Sequence, residues 1–131
     1  MGRTLDTNIC SYILRRHPAE MIEHFSRLDR DTLWLSVIVV AELRYGARRL
    51  RSARFSAAIE AWIADFIVLD WSPTAASQYA EIRARLQEAG TPIGNMDLMI
   101  AAHALAEDSV VVTNNAREFQ RVAGLAVDVW A

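Results

Sequence analysis

The feature that most constrains the fold of this chain is a regular alternation of short apolar runs with longer segments of helical periodicity. SVVVT at 109–113 is an almost purely β-branched run, and TLWLS at 32–36 and FIVLD at 66–70 are similarly short and apolar. Short runs of this kind are typical of buried strands. Parallel strands need long crossover connections, usually helices, so the alternation predicts an α/β fold with a central parallel sheet and helices on both faces.

The same reading gives approximate bounds for each element. It predicts a three-layer arrangement with a sheet of about four to five strands. The strands are expected at 3–5, 32–36, 66–70 and 109–113, with a possible edge strand near 126–129. The helices are expected at about 7–15, 18–29, 37–49, 53–65, 74–89, 97–107 and 116–121.

Composition limits the class of protein. The chain has 131 residues, of which 53% are hydrophobic and 23% charged, which is typical of one globular domain over 1–131. A single cysteine, Cys10, excludes an internal disulfide and suits a reducing compartment. The opening MGRTLD lacks a signal-peptide core, and no apolar run approaches membrane-spanning length. We therefore expect a cytoplasmic protein without a membrane segment.

The basic residues are few in kind and clustered. The net charge is −2, and all 14 basic residues are arginines. Arginine offers a planar fork that suits phosphate oxygens, so a local cluster is compatible with RNA binding even on a near-neutral protein. The alternative is an ordinary solvated helix face. The candidate phosphate contacts are Arg44, Arg48, Arg49 and Arg51, with Arg54 nearby.

Asp6 lies where the first predicted strand turns into the first predicted helix. Aspartate is a preferred helix N-cap, because its side-chain oxygen accepts an otherwise unpaired backbone N–H. The carboxyl ends of parallel strands are also where α/β folds place their functional sites. Asp6 is therefore either a cap, a site residue or both.

Two further carboxylates stand in unusual surroundings. Glu42, within VIVVAELRYG, has apolar neighbours one helical turn away on either side. A carboxylate there is either buried with a partner or a metal, or paired with Arg44 or Arg48 and directed to water. Asp97 opens the apolar helix DLMIAAHALA on the side of its core stripe. It is either a capping or first-turn acid, favoured by the helix dipole, or a residue that faces a cleft.

Polar residues also follow other predicted strands. Ser36 ends the second strand, and the segment VTNNAREF after the fourth contains Thr113, Asn115 and Glu118. Each of these has an ordinary explanation as a cap or turn residue. Together with the three acids they would form a site rich in oxygen ligands, which suits Mg²⁺ or Mn²⁺ rather than zinc. A metal-activated water at such a site can attack a phosphodiester, so the pattern favours phosphodiester hydrolysis.

Four segments in order along nearly the whole chain carry these residues: LDTNIC, LSVIVVAELRYGA, IGNMDLMIAAHA and VTNNAREF. Taken together they resemble PIN-domain ribonucleases, and among these the VapC-type toxins of bacterial toxin–antitoxin pairs. The resemblance implies a PIN-like fold in which Asp6, Glu42 and Asp97 bind Mg²⁺ or Mn²⁺. The family often has a further acid after the fourth strand, and the matching residue here is the amide Asn115. We therefore expect Asn115, Thr113, Ser36 and Glu118 to support the site rather than to complete a second metal centre.

The resemblance also implies a biological role. It implies an RNA-cleaving toxin inhibited by a VapB-type antitoxin, usually as a homodimer. The segment VTNN-x-REF looks most like toxins that cut the anticodon loop of initiator tRNA.

Parts of this pattern also occur in other protein classes. Haloacid-dehalogenase-like phosphatases and receiver domains also place an aspartate after an early strand, but the phosphatases need a second aspartate where this chain has Asn8, and both need a lysine that it lacks. A dinucleotide-binding fold would require G-x-G-x-x-G after the first strand. The remaining alternative is a non-catalytic PIN-like module that binds RNA or an antitoxin. The presence of Asp6, Glu42 and Asp97 together favours the enzyme.

Overall fold

The computed structural model describes residues 2–16 and 18–130. Five strands form one sheet in the order β3-β2-β1-β4-β5, and every neighbouring pair is parallel. This confirms the predicted parallel α/β sheet, including its edge strand. The strands are β1 (Arg3–Leu5), β2 (Leu33–Ser36), β3 (Ile67–Leu69), β4 (Val110–Thr113) and β5 (Val127–Val129).

Six α-helices connect the strands within the described residues, and none of them is long and apolar enough to cross a membrane. Two short 3-10 segments, Arg30–Thr32 and Phe119–Arg121, precede β2 and β5. The helices are α1 (Thr7–Arg15), α2 (Ala19–Ser26), α3 (Val37–Arg49), α4 (Ala53–Ile63), α5 (Pro73–Glu88) and α6 (Asn95–Ala106).

Three differences from the sequence-based bounds have a clear local cause, and elsewhere the ends of the elements shift by at most two residues. The second helix ends at Ser26 instead of continuing to 29, because Asp29 accepts the Asp31 N–H and starts a 3-10 turn. The sixth helix begins at Asn95, two residues earlier than expected, after Gly94, whose ψ of 145° is not helical. The predicted helix at 116–121 is only the 3-10 turn Phe119–Arg121, in which the buried Phe119 anchors the chain on the core.

The centre of the sheet is completely buried, and the ends of its strands set the position of the candidate site. The side chains of Leu5, Val111 and Val112 on β1 and β4 are completely buried. In α6 the run from Ile100 to Ala104 is also buried, so this helix packs tightly over the sheet. The residues that directly follow β1, β2 and β4 are consequently held by a rigid scaffold at one edge of the sheet.

Candidate active site

Asp6 is both a helix cap and a buried carboxylate. It follows β1, is only 4% exposed, and its Oδ1 accepts the backbone N–H of Ile9 at 2.8 Å, which caps α1. Burial raises the pKa of Asp6, while hydrogen bonds from Thr113 and from the Ile9 N–H oppose this rise and the charge of Glu42 adds to it. The cap uses one carboxylate oxygen, so capping and ligand binding are compatible at this residue.

Thr113 and Asn115 shape the turn that follows β4. The buried Thr113 hydroxyl accepts the N–H of Asn115 at 3.1 Å. The hydroxyl has one proton to donate, and two acceptors compete for it: the Asn115 carbonyl oxygen, at 3.2 Å, and the Asp6 carboxylate. The Asn115 side chain is exposed, and its Oδ1 accepts the N–H of Arg117 at 3.3 Å. Thr113 therefore faces Asp6 directly, whereas Asn115 serves its own turn.

Glu42 is held by a residue that the sequence analysis missed. The Thr7 hydroxyl, at the first position of α1, donates to Oε1 of Glu42 at 2.6 Å. Glu42 is half-buried in α3, and within residues 2–16 and 18–130 it forms no ion pair. The alternative of a glutamate paired with Arg44 or Arg48 is therefore wrong. The adjacency of Thr7 to Asp6 was the one available signal for its role.

Asp97 and Glu118 form a proton-sharing pair beside the start of α6. Asp97 is a first-turn acid rather than the cap, since it is the third residue of the helix. Burial, the hydrogen bond with Glu118 and the nearby charges of Glu118, Asp6 and Glu42 raise the pKa of Asp97 to about 7. The pKa of Glu118 is lowered, first by its hydrogen bond with Asp97 and also by the backbone N–H of Gly94. The shared proton therefore resides on Asp97.

Ser36 supports the site through the helix that carries Glu42. It is fully buried, and its hydroxyl accepts the N–H of Ile38 at 3.0 Å, which caps α3. His103 of α6 contacts the same hydroxyl at 2.7 Å. The His103 side chain is completely buried.

The charges of Asp6, Glu42 and Glu118 all act on Asp97, but these acids do not form a compact cluster of ligands. In the described part of the chain, no three His, Cys, Asp or Glu side chains are arranged to hold a metal ion. The charge of Glu42 nevertheless adds to the rise in the pKa of both Asp6 and Asp97, so the three carboxylates lie close enough for their charges to interact. Repulsion between uncompensated carboxylates opposes a closer approach. The metal-binding role of Asp6, Glu42 and Asp97 therefore stays a prediction.

The chemistry of this donor set fits a hard divalent cation. Burial is the main cause of the raised pKa of Asp6 and Asp97, and a bound cation would offset both the burial of their charge and the repulsion that adds to it. Carboxylate oxygens without a set of Cys or His ligands suit Mg²⁺ or Mn²⁺. The residue types present are therefore suited to such an ion.

The arginine cluster divides into two groups. Arg44 donates to both carboxylate oxygens of Glu60, at 3.0 and 2.9 Å, so the expectation of a free phosphate contact is revised for this residue. Arg48, Arg49 and Arg51 line an open groove and have no carboxylate partner among the described residues. The Arg49 guanidinium also lies 5.9 Å from the ring centroid of Tyr45, which is 65% exposed.

Comparison with known proteins supplies the family. The PIN domain model matches residues 4–125. A tRNA(fMet)-specific endonuclease VapC of Shigella flexneri is 40% identical over 128 residues, covering 97% of this chain and 96% of that protein. These matches include all four motif segments.

Solved structures give the same result for the fold. A chain of the DNA-bound VapBC of Salmonella typhimurium superposes with a TM-score of 0.91 at 39% identity, covering 100% of this chain and 99% of that one. A chain of VapBC2 from Rickettsia felis, bound to a DNA fragment from its promoter, gives 0.90 at 35% identity with complete coverage of both. This chain therefore belongs to the PIN-domain family and, within it, to the VapC proteins.

Proposed function

We propose that this chain is a VapC-type toxin, an endoribonuclease that hydrolyses RNA phosphodiester bonds and is neutralised by a VapB-type antitoxin. One observation carries the proposal: Asp6, which follows β1, lies close enough to Glu42 and Asp97 for their charges to interact, in a chain 40% identical to a VapC endonuclease over nearly its full length. The proposal treats residues 1–131 as a single PIN domain acting in the cytoplasm.

PIN-domain nucleases generally use divalent metal ions, and we assign Mg²⁺, with Mn²⁺ as a substitute, to Asp6, Glu42 and Asp97. When bound, the ion would supply an activated water and offset negative charge on the scissile phosphate. Asp6 is oriented by the Ile9 N–H and by Thr113, and Glu42 by Thr7.

Asp97 contributes an additional function through its proton. Because its pKa is raised to about 7, Asp97 stays protonated below neutral pH, and its O–H donates a hydrogen bond to the Glu118 carboxylate. Release of this proton frees the Asp97 carboxylate for a cation, so we expect metal binding to be linked to proton release.

The arginine groove supports the choice of a nucleic acid as substrate. A site with four acids repels phosphates, and association with RNA needs compensating positive charge nearby. Arg48, Arg49 and Arg51 supply that charge, and the exposed ring of Tyr45 offers a face for base stacking. We assign phosphate contacts to these three arginines and leave Arg44 with Glu60.

We extend the proposal to initiator tRNA, cut in the anticodon loop. The name of the Shigella flexneri relative and the segment VTNN-x-REF support this choice. A groove beside Glu42 supports the proposal that an antitoxin binds this chain. Leu14, Leu50 and Phe55 line part of the groove, so it offers an antitoxin an apolar surface next to an acid of the site. A homodimer is part of the same proposal.

The test uses the purified chain free of antitoxin. It is incubated with initiator tRNA, with an elongator tRNA and with total RNA, in Mg²⁺, in Mn²⁺ and in EDTA. An Asp6→Asn variant, with its fold checked by circular dichroism, runs in parallel. We expect discrete fragments of initiator tRNA with either metal, and none with EDTA or with the variant.

Each other outcome has its own meaning. Cleavage of other RNAs alone would refute the initiator tRNA assignment and leave the nuclease. Cleavage that persists in EDTA and in Asp6→Asn would refute the carboxylate–metal mechanism. An absence of cleavage on every RNA would favour the non-catalytic binding module.

A further inference from the structure

We propose that Thr7 is a positioning residue of the nuclease site, whose hydroxyl holds the Glu42 carboxylate in place for cation binding. This inference rests on the proposed function, because it assigns Glu42 to the cation. The contact joins the first residue of α1 to the middle of α3 across 2.6 Å. It therefore links two helices through residues that are 35 positions apart in the chain.

The direction of this hydrogen bond is fixed by its chemistry. An ionised glutamate has only acceptors, so the Thr7 hydroxyl is the donor. A short O–H···O⁻ bond is charge-assisted and stronger than a neutral one. The hydroxyl therefore sets the position of one carboxylate oxygen and leaves the other oxygen available.

Without Thr7, Glu42 has no comparable restraint among the described residues. It is half-buried on a helix, forms no ion pair there, and is repelled by the buried charge of Asp6. Arg15 lines the same groove as Glu42 and Thr7. A released carboxylate would be free to turn away from Asp6 and toward this cation, since glutamate rotates about several bonds.

Thr7 directly follows Asp6 in the chain, so the positions of the two residues are fixed together. Asp6 caps α1 and Thr7 is the next residue, so one turn of chain fixes both an acid of the site and the donor that orients a second acid. Groups that orient ligand side chains in this way typically change metal affinity or activity by 10- to 100-fold when they are removed.

The experiment compares Thr7→Val, which keeps the shape and removes the hydroxyl, with Thr7→Ser, which keeps the hydroxyl. Ser11→Ala is the matched control, since Ser11 lies one turn further along α1 in the same groove. Free Mn²⁺ is measured by electron paramagnetic resonance without RNA, so binding is read independently of activity. Cleavage of initiator tRNA and thermal unfolding are measured on the same preparations.

We expect Thr7→Val to weaken Mn²⁺ binding by roughly tenfold and to slow cleavage in proportion. Thr7→Ser and Ser11→Ala should stay close to the parent chain. Thr7→Ala serves as a second variant without the hydroxyl, should valine disturb the start of α1, and it should show the same loss.

A Glu42→Gln background separates positioning from a general structural effect. If Thr7 acts through Glu42, Thr7→Val should have little further effect on Mn²⁺ affinity in that background. An undiminished effect there, or parent-like binding and cleavage by both Thr7→Val and Thr7→Ala, would overturn the inference and leave the proposed function intact. A parent chain that neither binds Mn²⁺ nor cuts RNA would overturn both.

Discussion

Nδ1 of His103 lies 2.7 Å from the hydroxyl oxygen of Ser36, completely buried from solvent. The other ring nitrogen, Nε2, lies 2.9 Å from the carbonyl oxygen of Asp70. Because a carbonyl can only accept, Nε2 carries the proton and Nδ1 accepts the Ser36 O–H. Burial lowers the pKa of His103, consistent with this neutral form. The imidazole thus connects α6, which carries Asp97, to the cap of α3 and to the end of β3.

Replacing His103 by leucine should destabilise the protein by about 2 to 4 kcal/mol, because the buried Ser36 hydroxyl loses its acceptor and the Asp70 carbonyl its donor. Urea unfolding of the metal-free protein measures this loss. Ser36→Ala should cost about 1 to 2 kcal/mol, since it also removes the cap of α3. A loss below about 1 kcal/mol for His103→Leu would contradict the bridging role.

The proton shared by Asp97 and Glu118 should make the metal-free protein less stable as the pH rises. The pKa of Asp97 rises from 3.8 to about 7 on folding, so between these values the folded state binds more protons than the unfolded state. Stability should therefore fall from pH 4 toward pH 7. We expect a loss of about 1 to 2 kcal/mol, reduced from the full shift because Asp97 is half-buried and the lowered pKa of Glu118 opposes it.

Thermal unfolding of the parent chain and of Asp97→Asn, each in EDTA, measures this effect. Asp97→Asn should be the more stable protein near pH 8, and its stability should depend less on pH. Parallel curves for the two proteins across this range would show that Asp97 does not carry the excess proton.

The same proton should make metal binding depend on pH. Mn²⁺ competes with the proton on Asp97, so its apparent affinity should fall by roughly tenfold between pH 8 and pH 6. Glu118→Gln is the informative variant, because it removes a charge and a hydrogen bond that raise the pKa of Asp97. In this variant the fall in affinity should occur at lower pH, and an unchanged profile would contradict the pairing.

Removal of the three unpaired arginines should weaken the effect of salt on RNA cleavage. Affinity for RNA falls as salt concentration rises, and each phosphate contact steepens this fall. If Arg48, Arg49 and Arg51 each contact one phosphate, the slope of log RNA affinity against log salt concentration should be about 2 less negative in the triple alanine variant. A variant of equal charge, with alanine at Arg27, Arg83 and Arg85, is the control and should keep the parent slope. Equal slopes for the two triple variants would refute the assigned contact surface.

The sequence determined the layout of this protein because local forces decide it. The β-branched run before Thr113 and the helical periodicity between strands act over a few residues, so they specified a parallel sheet and its edge strand. Asp6 was identified as a corner residue for the same reason, since a strand end and a helix cap are both local features. The expected helix boundary was wrong where a turn residue such as Asp29 competed with helix extension.

Only the tertiary structure decided which side chains meet. The sequence offered Arg44 and Arg48 as partners of Glu42, but the fold gives Arg44 to Glu60 and Glu42 to Thr7. Asp97 likewise shares its proton with Glu118, which follows β4 and lies outside the helix that carries Asp97. These pairs depend on distances set by the packing of α1, α3 and α6 around the sheet. Such distances cannot be deduced from the separation of the residues along the chain. The residue types were therefore readable in advance, whereas their partners, burial and proton affinities required the folded chain.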